Sequence, residues 1–351
     1  MAPFYLEHNK VSELKSWLTS VPPLSEFCDL QNPDIHCLPY ETEVKVTTIN
    51  RVPQAAVRGR SKEATRLLFA APYLLPALLI FAVFTYYPLA KVIYLSFTNA
   101  DMLKPVPDFI GVQNYRVMLA SREFWSSLGI TAGFALGVTA LEVGLGMALA
   151  FLMNAPTHMQ GLLRGAVFAP VVVSIAATAV VWNYLLSPSS GPVNQALGAI
   201  GVAGPGWLGN PQTALASVIM IAAWKGVGLP AVLFLSGLQG IPHELGEAAA
   251  IDGATRGQVA RLITIPLLGP TSMVVFFISL VGTFQSYSLV LLLTGGGPAG
   301  STNLLGYYIY QNAFSFFQMG FASALSVALF LLLLALGFLQ LKLSERRVHY
   351  Q

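Results

Sequence analysis

The sequence predicts an all-α integral membrane protein with six transmembrane helices. Only 10% of its 351 residues are charged and 55% are hydrophobic, whereas soluble domains carry roughly 25% charged residues. Apolar stretches of roughly 20 residues, enough for a helix to cross the hydrocarbon core, recur along the chain, and the alternating pattern of membrane β-strands is absent. The six predicted spans cover residues 67–90, 126–153, 162–186, 213–237, 262–292 and 318–341.

The distribution of Lys and Arg predicts the orientation of the spans. Basic residues cluster before the first span and after the last, and an excess of basic residues marks the cytoplasmic side of a membrane. We therefore expect both termini in the cytoplasm, which agrees with an even number of spans. The uncharged loops 187–212 and 293–317 and the charge-balanced loop 98–125 are expected outside, while 154–164 and 238–261, which contain Arg, are expected inside.

Residues 1–65 form a hydrophilic N-terminal tail that we expect to be poorly structured, and the membrane domain is expected to cover 66–347. No signal peptide is expected before the first span, because its apolar core starts beyond residue 65. Cys28 and Cys37 lie in the tail and are expected to stay reduced in the cytoplasm. The tail is either a regulatory or docking segment or the product of a start codon assigned too far upstream.

The loop between the fourth and fifth spans, which we name the charged loop (residues 238–262), concentrates acidic and basic residues between long uncharged stretches. A short helix over Pro242–Ala250, a turn at Gly253 and a second helix over 254–263 are predicted, since Pro favours a first helical turn and Gly permits a tight turn. Pro266 and Pro270 are expected to bend the chain where it re-enters the bilayer. The alanine face of the first helix suits a groove on another protein; an ordinary solvated loop is the competing interpretation.

A set of residues in and after the charged loop forms a pattern: Glu247, Ala248, Ala249, Asp252, Gly253, Ile263, Ile265 and Pro266. Their order and spacing resemble the signature of ABC importer permeases, in which Leu usually precedes the final Pro. In that family the loop is a pair of coupling helices that sits in a cleft of the ATPase subunit. The resemblance implies that these residues dock the ATPase, with Glu247 as the ionic contact and Gly253 as the turn.

Further segments extend the resemblance, over roughly 66–347, to the sugar-permease branch of these importers: Tyr86-Tyr87-Pro88, Ser96-Phe97, Phe109 to Tyr115, Trp207-Leu208 and Leu293 to Pro298. The resemblance implies a type I ABC importer permease fold in a bacterial inner membrane, in contact with lipid. It also implies a second homologous permease, two ATPase subunits that bind ATP and Mg, and an extracytoplasmic substrate-binding protein.

The resemblance favours a carbohydrate cargo, a di- or oligosaccharide, and leaves glycerol 3-phosphate or a related phosphodiester as the alternative within the same machine. An ion-coupled secondary carrier, with Glu142 as its relay, is the rival from a different class. That rival predicts transport without an ATPase partner, and it leaves the pattern from Glu247 to Pro266 unexplained.

Ionisable residues inside spans are candidate functional sites, because a charge in the bilayer is costly unless it is paired or faces water. Lys225, followed by Gly226, lies in the fourth span, and Glu142 lies midway along the second. Lys225 is either a ligand contact, which the resemblance favours, or the partner of Glu142 in an ion pair. Glu142 is either that partner or a structural hydrogen-bonding group. Lys91, at the end of the first span, is expected to reach the interface.

Three hydroxyls of the fifth span, Ser279, Thr283 and Ser286, recur at helical spacing and are predicted to share one face. They either bond their own backbone or a neighbouring helix, or they line the translocation path, where the resemblance places sugar contacts. Tyr287 supplies a flat face suited to a sugar ring, and Ser174 on the third span is a further candidate for the same cavity.

The motifs of catalysis are missing from the sequence. There is no phosphate-binding GxxxxGK[ST] loop and no His or Cys cluster with metal-ligand spacing, so we expect no catalytic residue, no metal and no cofactor bound by this chain. The basic residues form no stripe that could follow nucleic-acid phosphates. Energy for transport is therefore expected from a partner subunit.

Overall fold

The computed structural model describes residues 73–103, 106–155 and 160–347, except for the side chains of 343–347. The tail 1–65 with Cys28 and Cys37 lies outside these residues. Helices are labelled in chain order: α1 Tyr73–Leu95, α2 Gln113–Ala120, α3 Arg122–Asn154, α4 Gln160–Val172, α5 Ile175–Leu185, α6 Pro192–Ala199, α7 Pro211–Gly226, α8 Gly228–Gln239, α9 His243–Ile251, α10 Arg256–Leu267, α11 Gly269–Phe284, α12 Tyr287–Leu293, α13 Leu305–Tyr310 and α14 Met319–Arg347.

Six spans are present when bent helix pairs are counted as single spans. Helices α1, α3 and α14 are each long and apolar enough to cross a membrane alone. The pairs α4 with α5, α7 with α8, and α10 with α11 meet the same criterion together, with bends of 101°, 48° and 66°. The six predicted spans are thus confirmed, but half of them are broken helices.

Local sequence explains where two of these spans break. In the third span, Pro170 lacks a backbone donor, and Ser174 begins α5 as an N-cap whose side chain accepts a hydrogen bond from the Ala177 N–H at 3.2 Å. In the fifth span, Pro270 occupies the first turn of α11. The bend predicted from Pro266 and Pro270 is therefore confirmed, and it lies at Leu268.

Helix α3 is the centre of the bundle, because a different part of it packs into each of three buried clusters. Phe134 and Val138 pack with α5, α7 and α12, while Met153 packs with α8 and α11. Phe124, at the opposite end of α3, packs with α2, α13 and α14. A helix that contacts every neighbour in this way fixes where the other spans can lie.

Two of the sequence segments on which the family resemblance rests contact each other in the folded chain. The Asn114 side chain donates hydrogen bonds to the carbonyls of Ser96 and Thr98, both at 2.9 Å. The Tyr115 hydroxyl lies 2.7 Å from the hydroxyl of Ser96. These contacts join the end of α1 to the start of α2, so the two segments stabilise a loop.

Helix α1 contrasts with α3, since none of its most apolar 18-residue window is buried. Tyr73 is 86% exposed and Phe84 is 75% exposed. A long apolar helix of this kind needs lipid or another protein around it.

The close approach of α3 and α8 generates a test of the packing. A Cβ atom added at Gly146 would lie 2.7 Å from the Pro230 Cβ, whereas nothing lies within 4 Å of the corresponding position at Gly144. We expect Gly146→Val to lower the stability of the purified protein by about 1–3 kcal/mol through overpacking. Gly144→Val carries the same change in helix propensity without the clash. Thermal unfolding in detergent should separate the two variants, and equal melting temperatures would contradict this account of the contact.

Candidate functional site

A cavity of about 410 Å³, lined by apolar and polar side chains, lies where three of the spans are interrupted. Val171 and Ile175 line it from the two sides of the α4–α5 break, and Gly226 lines it beside the α7–α8 break. Gln285 and Ser286 line it from the junction of α11 and α12, and α3 closes the remaining side. Interrupted helices are tolerated at membrane depth where they are buried or line such a cavity, which makes this the candidate site.

The cavity brings together six residues that the sequence singled out: Glu142, Lys225, Gly226, Ser279, Thr283 and Ser286. They come from the second, fourth and fifth spans. Their meeting at one cavity could not be read from the sequence, because it depends on how these spans pack.

Glu142 reaches the cavity because Gly226 leaves room for it. Its side chain is only 8% exposed, and a Cβ atom added at Gly226 would overlap its carboxylate, at 1.9 Å from Oε1. No ion pair to Glu142 occurs among the described residues. The absence of a side chain at Gly226 therefore accommodates a carboxylate of the same chain.

Lys225 lies in the last turn of α7, and its ammonium caps the broken third span. The Nζ atom donates hydrogen bonds to the carbonyls of Val173 at 2.6 Å and Pro170 at 3.2 Å. These carbonyls belong to the C-terminal end of α4, where backbone acceptors lack helical partners and the helix dipole favours a cation. Lys225 and Glu142, both described, form no ion pair with each other in this conformation.

The three hydroxyls of the fifth span do not share one continuous helix as predicted. Ser279 and Thr283 lie on α11 and are buried, while Ser286 falls beyond the end of α11. Thr283 donates to the Leu280 carbonyl at 2.6 Å and Ser286 to the Gly282 carbonyl at 3.4 Å, while the buried Ser279 Oγ has no hydrogen-bond partner among the described residues. All three nevertheless line the cavity.

Two further candidates lie beside the cavity and do not line it. Ser174 is occupied as the N-cap of α5. Tyr287 begins α12, where its ring stacks on Tyr310 at 6.1 Å between centroids and its Cβ lies close to Gly306. In this conformation Tyr287 packs against α13.

A larger cavity, of about 790 Å³, lies between α3, α11 and α14. Its walls are side chains such as Leu136, Phe276 and Leu332, and Ser272 and Gln340 are its only polar lining residues. A cavity with so few hydrogen-bonding groups does not suit a polar cargo. The smaller cavity is therefore the better candidate for cargo binding.

The charged loop has the predicted shape of helix, turn and helix. Pro242 precedes α9, Asp252 follows it, and Gly253 adopts a left-handed φ of 86°, which favours glycine. The second helix starts at Arg256, two residues later than predicted, because Thr255 and Gln258 form a capping box. That signal, Thr followed three residues later by Gln, is present in the sequence and was not used in the prediction.

The surface of the charged loop is accessible. Glu247 and Ala248 are exposed and Ala249 is half-buried. Ile251 is 87% exposed although it is apolar, a feature that the sequence pattern did not draw attention to. Ile263 and Pro266 lie on α10, which leads from the loop toward the bend at Leu268.

The described residues contain no group of three or more His, Cys, Asp or Glu side chains arranged to hold a metal ion. In this part of the chain the polar groups that converge are those of the cavity. The polar residues that line the cavity suit a hydrogen-bonding ligand.

Comparison with known proteins identifies relatives along most of the chain. Residues 128–350 match the family model described as "Binding-protein-dependent transport system inner membrane component". The multiple sugar-binding transport system permease protein MsmF of Streptococcus mutans is 34% identical over 78% of this chain and 94% of the relative. The sn-glycerol-3-phosphate transport system permease protein UgpA of Agrobacterium fabrum is 31% identical over 80% of this chain and 96% of the relative.

A solved structure also supports the fold. A chain in the crystal structure of a bacterial alginate ABC transporter, in complex with an alginate pentasaccharide-bound periplasmic protein, superposes with a TM-score of 0.72. The match covers 81% of this chain and 96% of that chain at 23% sequence identity, so it bears on the fold alone.

The contact of Lys225 with the broken third span predicts a structural effect of its replacement. We expect Lys225→Met to lower the stability of the purified protein by about 1–3 kcal/mol, because the Pro170 and Val173 carbonyls lose their charged donor. Hydrogen exchange around residues 170–175 should increase at the same time. Lys91→Met, at an exposed position, is the matched control. Unchanged stability and exchange in Lys225→Met would contradict the capping role.

Proposed function

Because the chain belongs to the family of binding-protein-dependent transport system inner membrane components, we propose that it forms half of the translocation pathway of an ATP-driven importer of carbohydrates. It is a transport subunit of a membrane complex, and in such systems ATP hydrolysis belongs to a separate subunit. The family match over residues 128–350 is the observation that carries the proposal.

The cavity supports a small polar cargo. Its volume of about 410 Å³ falls within the roughly 300–1,000 Å³ of small-molecule sites. Hydroxyl and carboxylate groups face it from Ser279 and Glu142, and such groups bond the hydroxyls of sugars. The relationship to a multiple-sugar permease favours a di- or oligosaccharide delivered by an extracytoplasmic binding protein.

A glycerol 3-phosphate importer is the second candidate. The relationship to UgpA of Agrobacterium fabrum favours it, and the machine and the coupling loop would be the same. The two candidates differ only in the chemistry that the cavity has to recognise.

The charged loop is proposed to couple the spans to ATPase subunits that bind ATP and Mg. Glu247 supplies an exposed carboxylate on α9, Ile251 supplies an exposed apolar side chain, and Gly253 sets the turn between the two helices. A mixed charged and apolar surface suits a cleft on a partner protein. Ala248, Ala249, Asp252, Ile263 and Pro266 complete the proposed coupling element.

The complex is proposed to contain a second, homologous permease and two ATPase subunits in a bacterial inner membrane, with both termini of this chain in the cytoplasm. The exposed apolar surface of α1 supports this proposal, because such a surface needs a partner helix or lipid around it. ATP-driven closure of the ATPase pair would bring the coupling loops together and tilt the spans, so that the cavity opens alternately to each side.

The coupling proposal predicts the effect of reversing one charge. We expect Glu247→Lys to reduce ATP-dependent uptake at least about tenfold, because a contact charge at an interface is replaced by its opposite. Uptake of labelled neutral disaccharides and of sn-glycerol 3-phosphate should be measured in proteoliposomes of the complete transporter, together with co-purification of the ATPase subunits.

The matched control is Glu123→Lys, the same charge change at an exposed position on the predicted outer side. It should leave ATPase assembly unchanged. If Glu247→Lys kept both its ATPase subunits and its uptake, the coupling role would be wrong. Uptake that proceeds without ATP would instead support the ion-coupled carrier.

A further inference from the structure

The segment between α1 and α3, which contains α2 and is predicted to lie outside, packs low against a transmembrane helix. Met118 of α2 and Phe124 of α3 are buried in the cluster that contains Leu325 of α14. Leu325 lies six residues, about 9 Å, beyond the start of α14 at Met319. The predicted sixth span begins beside Met319, so α2 lies at the depth of apolar turns of a span. Its free side therefore faces the membrane interface.

One flank of α2 presents exposed apolar side chains at this depth. Tyr115 meets the end of α1, where its ring lies 5.5 Å from the ring of Phe97. Leu119 lies one helical turn further along the same flank and is 55% exposed. Phe109, whose ring stacks on that of Phe97, is 70% exposed. These side chains continue the exposed apolar surface of α1 up to the interface.

Trp125 adds an aromatic side chain next to this flank. Its indole N–H donates a hydrogen bond to the Leu119 carbonyl at 2.9 Å, and its side chain is 54% exposed. Because the only polar donor of the indole is bonded within the chain, the exposed part of the ring is apolar. Trp is enriched at the interface between lipid and water. Phe109, Leu119 and Trp125, which we name the interfacial patch, therefore suit contact with lipid.

The charges of the same segment differ in how they are bonded. Each acidic side chain accepts a hydrogen bond from within the chain, namely those of Asp101, Asp108 and Glu123. The side chains of Arg116 and Arg122 are exposed and donate no hydrogen bond to another described residue. A guanidinium group matches phosphate oxygens through paired, charge-assisted hydrogen bonds. The free positive groups beside the patch therefore suit the phosphate of a phospholipid.

We propose that segment 109–125 is a lipid-binding element of the membrane interface. The interfacial patch contacts acyl chains, and Arg116 and Arg122 bind the phosphate of an anionic phospholipid. The lipid occupies the free side of α2, whose other side packs on α14. This site is separate from the candidate cargo site, since the residues that line the smaller cavity belong to α3–α5, α7, α8, α11 and α12.

The depth of single side chains tests the lipid contact. A nitroxide is attached at Leu119→Cys or, in a separate sample, at Phe109→Cys, in the complete transporter in nanodiscs, with Cys28 and Cys37 replaced by Ser. We expect collisions with oxygen to exceed collisions with a water-soluble nickel chelate at least about threefold, because oxygen partitions into apolar phases.

Val117→Cys is the matched control on the same helix. Val117 is 52% exposed, close to the value for Leu119, but it precedes Leu119 by two residues and so lies on the opposite flank of α2. We expect the nickel chelate to reach this position more readily than oxygen. Phe109→Cys gives an independent reading of the patch if the Leu119 variant does not assemble.

The identity of the lipid is tested with a fluorophore at Leu119→Cys. Its quenching by brominated phosphatidylglycerol is compared with quenching by brominated phosphatidylcholine at equal mole fractions. We expect phosphatidylglycerol to be preferred about fivefold, and Arg116→Gln with Arg122→Gln to remove the preference. Arg164→Gln, the same change at an exposed position outside the segment, should leave it unchanged.

Two results would overturn the lipid contact. Low access of both reagents to the patch would mean that protein covers it, and dominant access of the nickel chelate there would mean that water surrounds it. Equal quenching by the two lipids, or a preference that survives the loss of both arginines, would overturn the phosphate site.

Discussion

A helix that breaks inside a membrane must find partners for the backbone carbonyls that the break leaves free, and the cavity of this protein depends on how that requirement is met. The third span turns by 101° between α4 and α5, and Lys225 bonds two carbonyls at that turn. Because Lys225 lies in the last turn of α7, the same contact joins the break of the third span to the break of the fourth. An intramembrane lysine thus has a structural partner before any ligand arrives.

The site also depends on two glycines, because a residue without a side chain leaves space for its neighbours. Gly226 leaves the space that the Glu142 carboxylate occupies, and Gly228 allows α8 to approach Val171 and the backbone of α4. Close packing of this kind leaves little tolerance for added atoms. The arrangement of polar groups in the cavity therefore depends on glycines as much as on the polar residues themselves.

The proposed cargo site and the proposed coupling loop are joined by one continuous segment. The charged loop leads through α10 to Leu268, which is 1% exposed and packs in the cluster that contains Phe234 and Val275. Beyond that bend, α11 carries Ser279 and Thr283 into the cavity. A helix anchored at a packed bend is suited to carry a movement of the loop into the cavity wall, since packed elements shift as units.

The sequence by itself determined the six spans and the helix, turn and helix of the charged loop, because hydropathy, Pro and Gly act over a few neighbouring residues. It also identified the polar residues that line the cavity, except Gln285. Only the tertiary structure decided what these residues do: that Lys225 bonds carbonyls 52 and 55 residues earlier, that Glu142 fits against Gly226, and that Tyr287 packs on α13. These contacts join residues far apart in the chain, so they follow from helix packing, which no local pattern encodes.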